Sequence, residues 1–117
     1  MNLNCHCGNI KIETCKNIEF LTSCNCSICN RYGSLWGYFL PEEVSISFEK
    51  EPNFYSHGDK NVEFYFCTTC GCLTHYKTTK KVKDPKIGVN FRMLKLELLE
   101  NLKIRKFDGA NTWKFLD

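Results

Sequence analysis

The chain has 117 residues, with 16 Lys and Arg against 13 Asp and Glu and a formal net charge of +3. So slight a basic excess demands no acidic partner, and no apolar run approaches the ~20 residues a membrane-crossing helix needs. No Pro-, Gly- or Ser-rich linker divides the chain, which predicts one domain over residues 1–117, and 43% hydrophobic with 14% aromatic residues supplies a small core.

Met1-Asn2-Leu3-Asn4 has neither the positive start nor the apolar run of a secretory signal, so the expected compartment is the reducing cytoplasm. Cys5-His6-Cys7-Gly8 follows at once, the first of three tight cysteine clusters. Ile10-Lys11-Ile12-Glu13 alternates with period two and predicts a half-buried strand, with Cys15 behind it read as a core residue. The second cluster is Cys24-Asn25-Cys26-Ser27-Ile28-Cys29, and a short helix is expected just after Cys29. Arg31 could attract a substrate carboxylate. Trp36, Tyr38 and Phe39 suit a strand, as core or as the wall of a pocket beside that cluster. Val44–Phe48 and Val62–Phe66 alternate again, with turn signals at Pro41-Glu42-Glu43, Ser56-His57-Gly58-Asp59 and Asp84-Pro85. The third cluster is Cys67-Thr68-Thr69-Cys70-Gly71. Lys77 to Lys86 reads as a solvated loop, and Leu94–Leu99 as a helical turn or a loop. The fold class is mainly β, built of antiparallel sheets.

Seven of the 9 cysteines lie in the three clusters. Two sulfurs one or two residues apart can reach a single ion at about 2.3 Å, whereas so short a segment rarely spans the Cα separation of a disulfide. The odd cysteine number also argues against a disulfide framework, and in a reducing compartment such clusters are metal sites. Zinc is the expected metal, an iron–sulfur cluster being the lesser alternative. Seven thiols divide as four plus three, a closed tetrahedron and an open site. Spacing leaves the pairing open: Cys72, His6, His57 or His75 could complete the middle cluster.

The runs Cys5-His6-Cys7-Gly8-Asn9-Ile10, Cys24 to Gly33 and Phe66-Cys67-Thr68-Thr69-Cys70-Gly71 together resemble the family of glutathione-dependent formaldehyde-activating enzymes, which includes centromere protein V. Ile87-Gly88-Val89-Asn90 and Phe107-Asp108-Gly109 with Trp113 are similar to a small bacterial subgroup of it. The resemblance implies small antiparallel sheets in a zinc-binding β-tent. It implies two zinc ions, a structural one on Cys5, Cys7, Cys67 and Cys70 and a catalytic one on Cys24, Cys26 and Cys29. The activity it implies is that of a carbon–sulfur lyase, promoting addition of a small thiol, glutathione, to formaldehyde or another small aldehyde. The other class of function is a non-catalytic, zinc-stabilised binding module for nucleic acid or protein. Its basic face would join the lysines of residues 77–86 to Lys103, Arg105 and Lys106, but no paired stacking aromatics of an RNA-binding signature accompany them.

Overall fold

A computed structural model describes residues 1–117. Ten strands and two short helices follow in chain order: β1 (Asn2–Asn4), β2 (Ile10–Thr14), β3 (Phe20–Cys24), α1 (Ser27–Tyr32), β4 (Trp36–Phe39), β5 (Val44–Phe48), β6 (Asn53–Tyr55), β7 (Val62–Phe66), β8 (Leu73–Thr78), β9 (Ile87–Asn90), α2 (Leu96–Leu99) and β10 (Lys103–Phe107). The three alternating runs are strands, and the fold is mainly β. One sheet has three strands in the order β1-β2-β5, the other seven in the order β10-β3-β4-β9-β8-β7-β6.

Every pairing is antiparallel except that of β10 with β3, where Phe107 lies beside Cys24. That parallel pair brings the end of the chain to the middle cysteine cluster. The expected helix begins earlier than the sequence reading placed it: α1 contains Cys29, and the Leu94–Leu99 turn shortens to α2.

In β2 the alternation turns Ile10, Ile12 and Thr14 inward. Cys15, the next residue in that alternation, is exposed, which corrects its reading as core. The main core gathers 13 buried residues, among them Ile10, Ile12, Leu21, Val89 and Phe91, and it includes Cys5 and Cys67. A smaller cluster of Cys29, Trp36, Phe64 and Leu73 packs against Cys24, Cys26 and Tyr76. The two groups of cysteines therefore sit in different apolar surroundings.

Strand register explains the second cluster. Tyr38, Gly88, Tyr76 and Phe64 are successive partners across β4, β9, β8 and β7, so they share one face of the large sheet. A Cβ on Gly88 would lie 2.1 Å from the Tyr76 ring, so only glycine there lets the ring lie flat across the strand. The loop expected over Lys77 to Lys86 is shorter, residues 79–86, because Lys77 and Thr78 still pair in β8.

Candidate metal centre

The Sγ atoms of Cys5, Cys7, Cys67 and Cys70 all lie within 4.8 Å of one another. Cys5 and Cys7 are 3.7 Å apart and Cys7 and Cys67 3.6 Å. Zn–S bonds of about 2.3 Å would set tetrahedral sulfur–sulfur edges of about 3.8 Å, so this geometry fits one ion. All nine cysteines are free thiols.

Two tight turns build the group. Gly8 donates to the Cys5 carbonyl at 3.0 Å and Gly71 to the Cys67 carbonyl at 2.8 Å. Both glycines are left-handed, at φ 83° and 77°, a region open to glycine at little cost. The folded turns aim N–H groups at sulfur: Ile10 N donates to Cys5 Sγ at 3.3 Å and Thr69 N to Cys67 Sγ at 3.4 Å. Backbone N–H groups of Cys72 and Cys7 hold the Cys70 thiol down to about 5. Donors of this kind stabilise thiolate, the form that binds metal. Because Cys5 lies between strands of the small sheet and Cys67 follows β7, an ion here would join the two sheets.

The second group is Cys24, Cys26 and Cys29, again with all sulfurs within 4.8 Å of one another. Cys24 ends β3, Cys26 caps α1, and Cys29 lies on the buried side of that helix. Burial pushes the Cys29 thiol up to about 12, against the indole N–H of Trp36, which donates to its sulfur at 3.3 Å. Burial also opposes ionisation of Cys26, but the N–H of Cys29, the thiols of Cys29 and Cys24 and the N–H of Ile28 together outweigh it and hold that thiol below its ordinary value. No fourth Cys, His, Asp or Glu joins the three.

The three thiols line a cleft of about 890 Å³, floored by the aromatic face of the large sheet. Trp36 and Tyr38, weighed above as core or wall, line it, while Phe39 is in the main core. Sequence reasoning gave no role to Phe64 or Tyr76, which also line it. Only strand register brings them there.

The remaining candidates do not join either group. His6 and His57 are exposed, and His75 is buried, with Nδ1 2.8 Å from Thr74 Oγ1. Cys72 is half-buried against the main core. Arg31 donates to the Ser27 carbonyl at 2.8 Å, which commits it to its own helix. Arg105, one of the residues named for a basic face, lies 3.8 Å from the Phe115 ring centroid and 5.0 Å from that of Phe20.

Both groups are thus able to hold metal ions, and their all-thiol composition suits zinc. No helix is long and apolar enough to cross a membrane. No curated protein matches the chain. A crystal structure of a Rhodobacter sphaeroides protein is similar in fold, with a TM-score of 0.70 and 24% identity over 89% of this chain and 99% of that one. The model of one family, described as glutathione-dependent formaldehyde-activating enzyme, matches residues 1–105. With that match over most of its length, the chain belongs to the glutathione-dependent formaldehyde-activating enzyme family.

Proposed function

We propose that residues 1–117 form one zinc-dependent domain with carbon–sulfur lyase chemistry, working in a reducing cytoplasm. It promotes addition of a thiol to formaldehyde or another small aldehyde; glutathione is the thiol in the family's description. Cys5, Cys7, Cys67 and Cys70 hold a structural zinc, and Cys24, Cys26 and Cys29 a catalytic one. The observation that carries this reading is a three-thiol group, lacking a fourth side-chain ligand, on the wall of a cleft of about 890 Å³. That volume is within the range of small-molecule sites, and three protein ligands leave one position for an exchangeable partner.

When bound, zinc supplies a thiophilic Lewis-acid position that favours thiolate over thiol. The chain's residues do the rest. Trp36 fixes the Cys29 sulfur through its N–H, and the aromatic floor excludes water and restricts the approach of the two reactants. In the reaction the thiol sulfur forms a bond to the carbonyl carbon as the C=O π bond opens. The proton lost from the thiol ends on the new hydroxyl, so the product is the hydroxymethyl adduct.

Elemental analysis should give two zinc per chain, falling to one in Cys26→Ser with the fold retained. Exchange NMR between formaldehyde and its thiol adduct should show a rate that rises with wild-type protein and not with the variant. Since thiols add to formaldehyde unaided, a rate independent of protein concentration defeats the proposal.

A further inference from the structure

The cleft beside Cys24, Cys26 and Cys29 has walls whose chemistry does not suit glutathione. Beyond the floor formed by Trp36, Tyr38, Phe64 and Tyr76, it is lined by Phe107, Trp113 and Phe115. These three rings lie outside residues 1–105, the span matched by the family model. Phe107 packs edge-on against both others, with centroids 5.1 Å away in each case. The wall is built rather than incidental. Asn25 donates to Asp108 Oδ1 at 3.0 Å and accepts from Ala110 N at 3.0 Å, so the segment is clasped directly to the middle cysteine cluster. Trp113 is held at φ 60°, a conformation bulky residues rarely adopt, by its N–H donating to the Asp108 carbonyl at 2.7 Å. Yet the residue is 71% exposed, so its own burial does not explain the strain.

The charged groups are as telling. His57, Asp59, Asp84 and Lys86 line the cleft, and Lys86 is its one lysine or arginine against two carboxylates. Lys86 lies over the Tyr38 ring at 5.1 Å. Arg105, on the neighbouring strand, pairs with Asp117 at 3.3 Å and is stacked on Phe115. Glutathione carries two carboxylates and one ammonium, and such a cleft offers no second lysine or arginine to meet them.

Resting on the reading that a thiol enters at the three-cysteine group, we propose that the thiol substrate is an uncharged aromatic one, an aryl or arylalkyl thiol, held between the sheet's aromatic floor and the wall formed by Phe107, Trp113 and Phe115. The rings bind its apolar body by area burial and edge or offset stacking. The reaction is unchanged: sulfur bonds to the aldehyde carbon and the thiol proton passes to the oxygen.

Isothermal titration of the zinc-loaded full chain would test this with benzyl mercaptan, glutathione and benzyl alcohol, the last having the ring without the sulfur. Benzyl mercaptan should bind at least about tenfold more tightly than glutathione, a difference of roughly 1.4 kcal/mol. Benzyl alcohol should bind more weakly than the mercaptan but equally to wild type and Cys26→Ser. Trp113→Ala should weaken both benzyl ligands several-fold, and Trp113→Lys should shift the preference toward glutathione. Glutathione binding as tightly as benzyl mercaptan, or benzyl affinities indifferent to Trp113, overturns the aromatic-thiol inference. Benzyl mercaptan binding no better than benzyl alcohol, with both still sensitive to Trp113, overturns instead the reading that the thiol enters at the cysteines.

Discussion

Asn25 and Asp108, 83 positions apart, are joined by a hydrogen bond of 3.0 Å that fastens the last turn of the chain to the middle cysteine cluster. Asp108 Oδ2 accepts from Thr112 N at 3.1 Å and Thr112 Oγ1 at 2.9 Å, so one carboxylate organises the whole turn. The Asn25 amide, followed by the Thr112 N–H and hydroxyl, holds the Asp108 carboxyl below its usual range. Replacing Asn25 by Ala removes one partner and should cost about 1 kcal/mol in urea unfolding. Hydrogen exchange at Ala110 and Thr112 should accelerate while strand amides do not. Unchanged exchange there would mean that the turn is held by its own bonds alone.

Gly109 makes the closest approach of this turn to the cluster. A Cβ at that position would stand 2.5 Å from Cys24 Sγ and 3.3 Å from Cys26 Cβ. Gly109→Ala should therefore displace the Cys24 sulfur and weaken the proposed catalytic zinc while sparing the structural one. Chelator competition should resolve two zinc classes in wild type and show only the weaker one perturbed in the variant. Equal affinities in both proteins would show that the turn yields to the methyl group.

The grouping of the thiols was far more legible in the sequence than the cleft. Ligand spacing within Cys5-His6-Cys7 or Cys67-Thr68-Thr69-Cys70 is local, so it survives in the linear pattern, as do the period-two strands Val44–Phe48 and Val62–Phe66. The role of Phe64 depends on three successive pairings that place it in line with Tyr76, Gly88 and Tyr38, and no local signal encodes that register. The parallel β3–β10 pair is equally silent, because its two strands are separated by most of the chain. Cys15 is exposed because the alternation of β2 turns residue 15 outward, against the usual preference of cysteine for burial.

Trp36 contributes both packing and a donor, since it is 1% exposed and its indole N–H meets Cys29 Sγ at 3.3 Å. Trp36→Phe retains an aromatic ring but loses the donor. Partners one step outside the ligand shell typically alter metal affinity by about 10- to 100-fold, and a loss of that size is expected at the three-cysteine site only. Competition titration against a chromophoric chelator measures it. An affinity unaltered by the variant would make the ring's contribution one of packing alone.

His75 gives the fold a defined acid response. Burial, with a smaller contribution from Lys77, lowers its pKa from 6.5 to about 3. Its ring stacks on Tyr65 with centroids 4.8 Å apart. Between these pH values the unfolded chain binds a proton that the native chain refuses, so stability falls as pH drops below 6.5 and the loss is complete near 3. The limiting slope is about 1.4 kcal/mol per pH unit. In His75→Gln that component should vanish, so the stability difference between wild type and variant should narrow as pH falls from 7 to 4. Acid release of zinc is common to both proteins and cancels in the difference. A difference constant with pH would show that the ring is protonated in the native state.

The two cysteine groups should differ most sharply when each loses one sulfur. Cys67 is fully buried and belongs to the main core, whereas Cys26 is half-buried and touches only the smaller aromatic cluster. An ion on the first group would link the turn after β1 to the end of β7, a closure of about sixty residues between two sheets; structural zinc sites can contribute on the order of 10 kcal/mol of apparent binding energy to folding. An ion on the second group would tie only β3 to the adjoining α1. Cys67→Ser should therefore unfold the chain or lower its melting temperature by tens of degrees, and excess chelator should do the same to wild type. Cys26→Ser should lose one zinc and melt within a few degrees of wild type, because the main core and the inter-sheet link are untouched. Circular dichroism melts of both variants, each with its zinc content measured, provide the comparison. Similar melting losses in the two would mean that the three-cysteine group is as structural as the four, and would remove the division of labour on which the proposed chemistry depends.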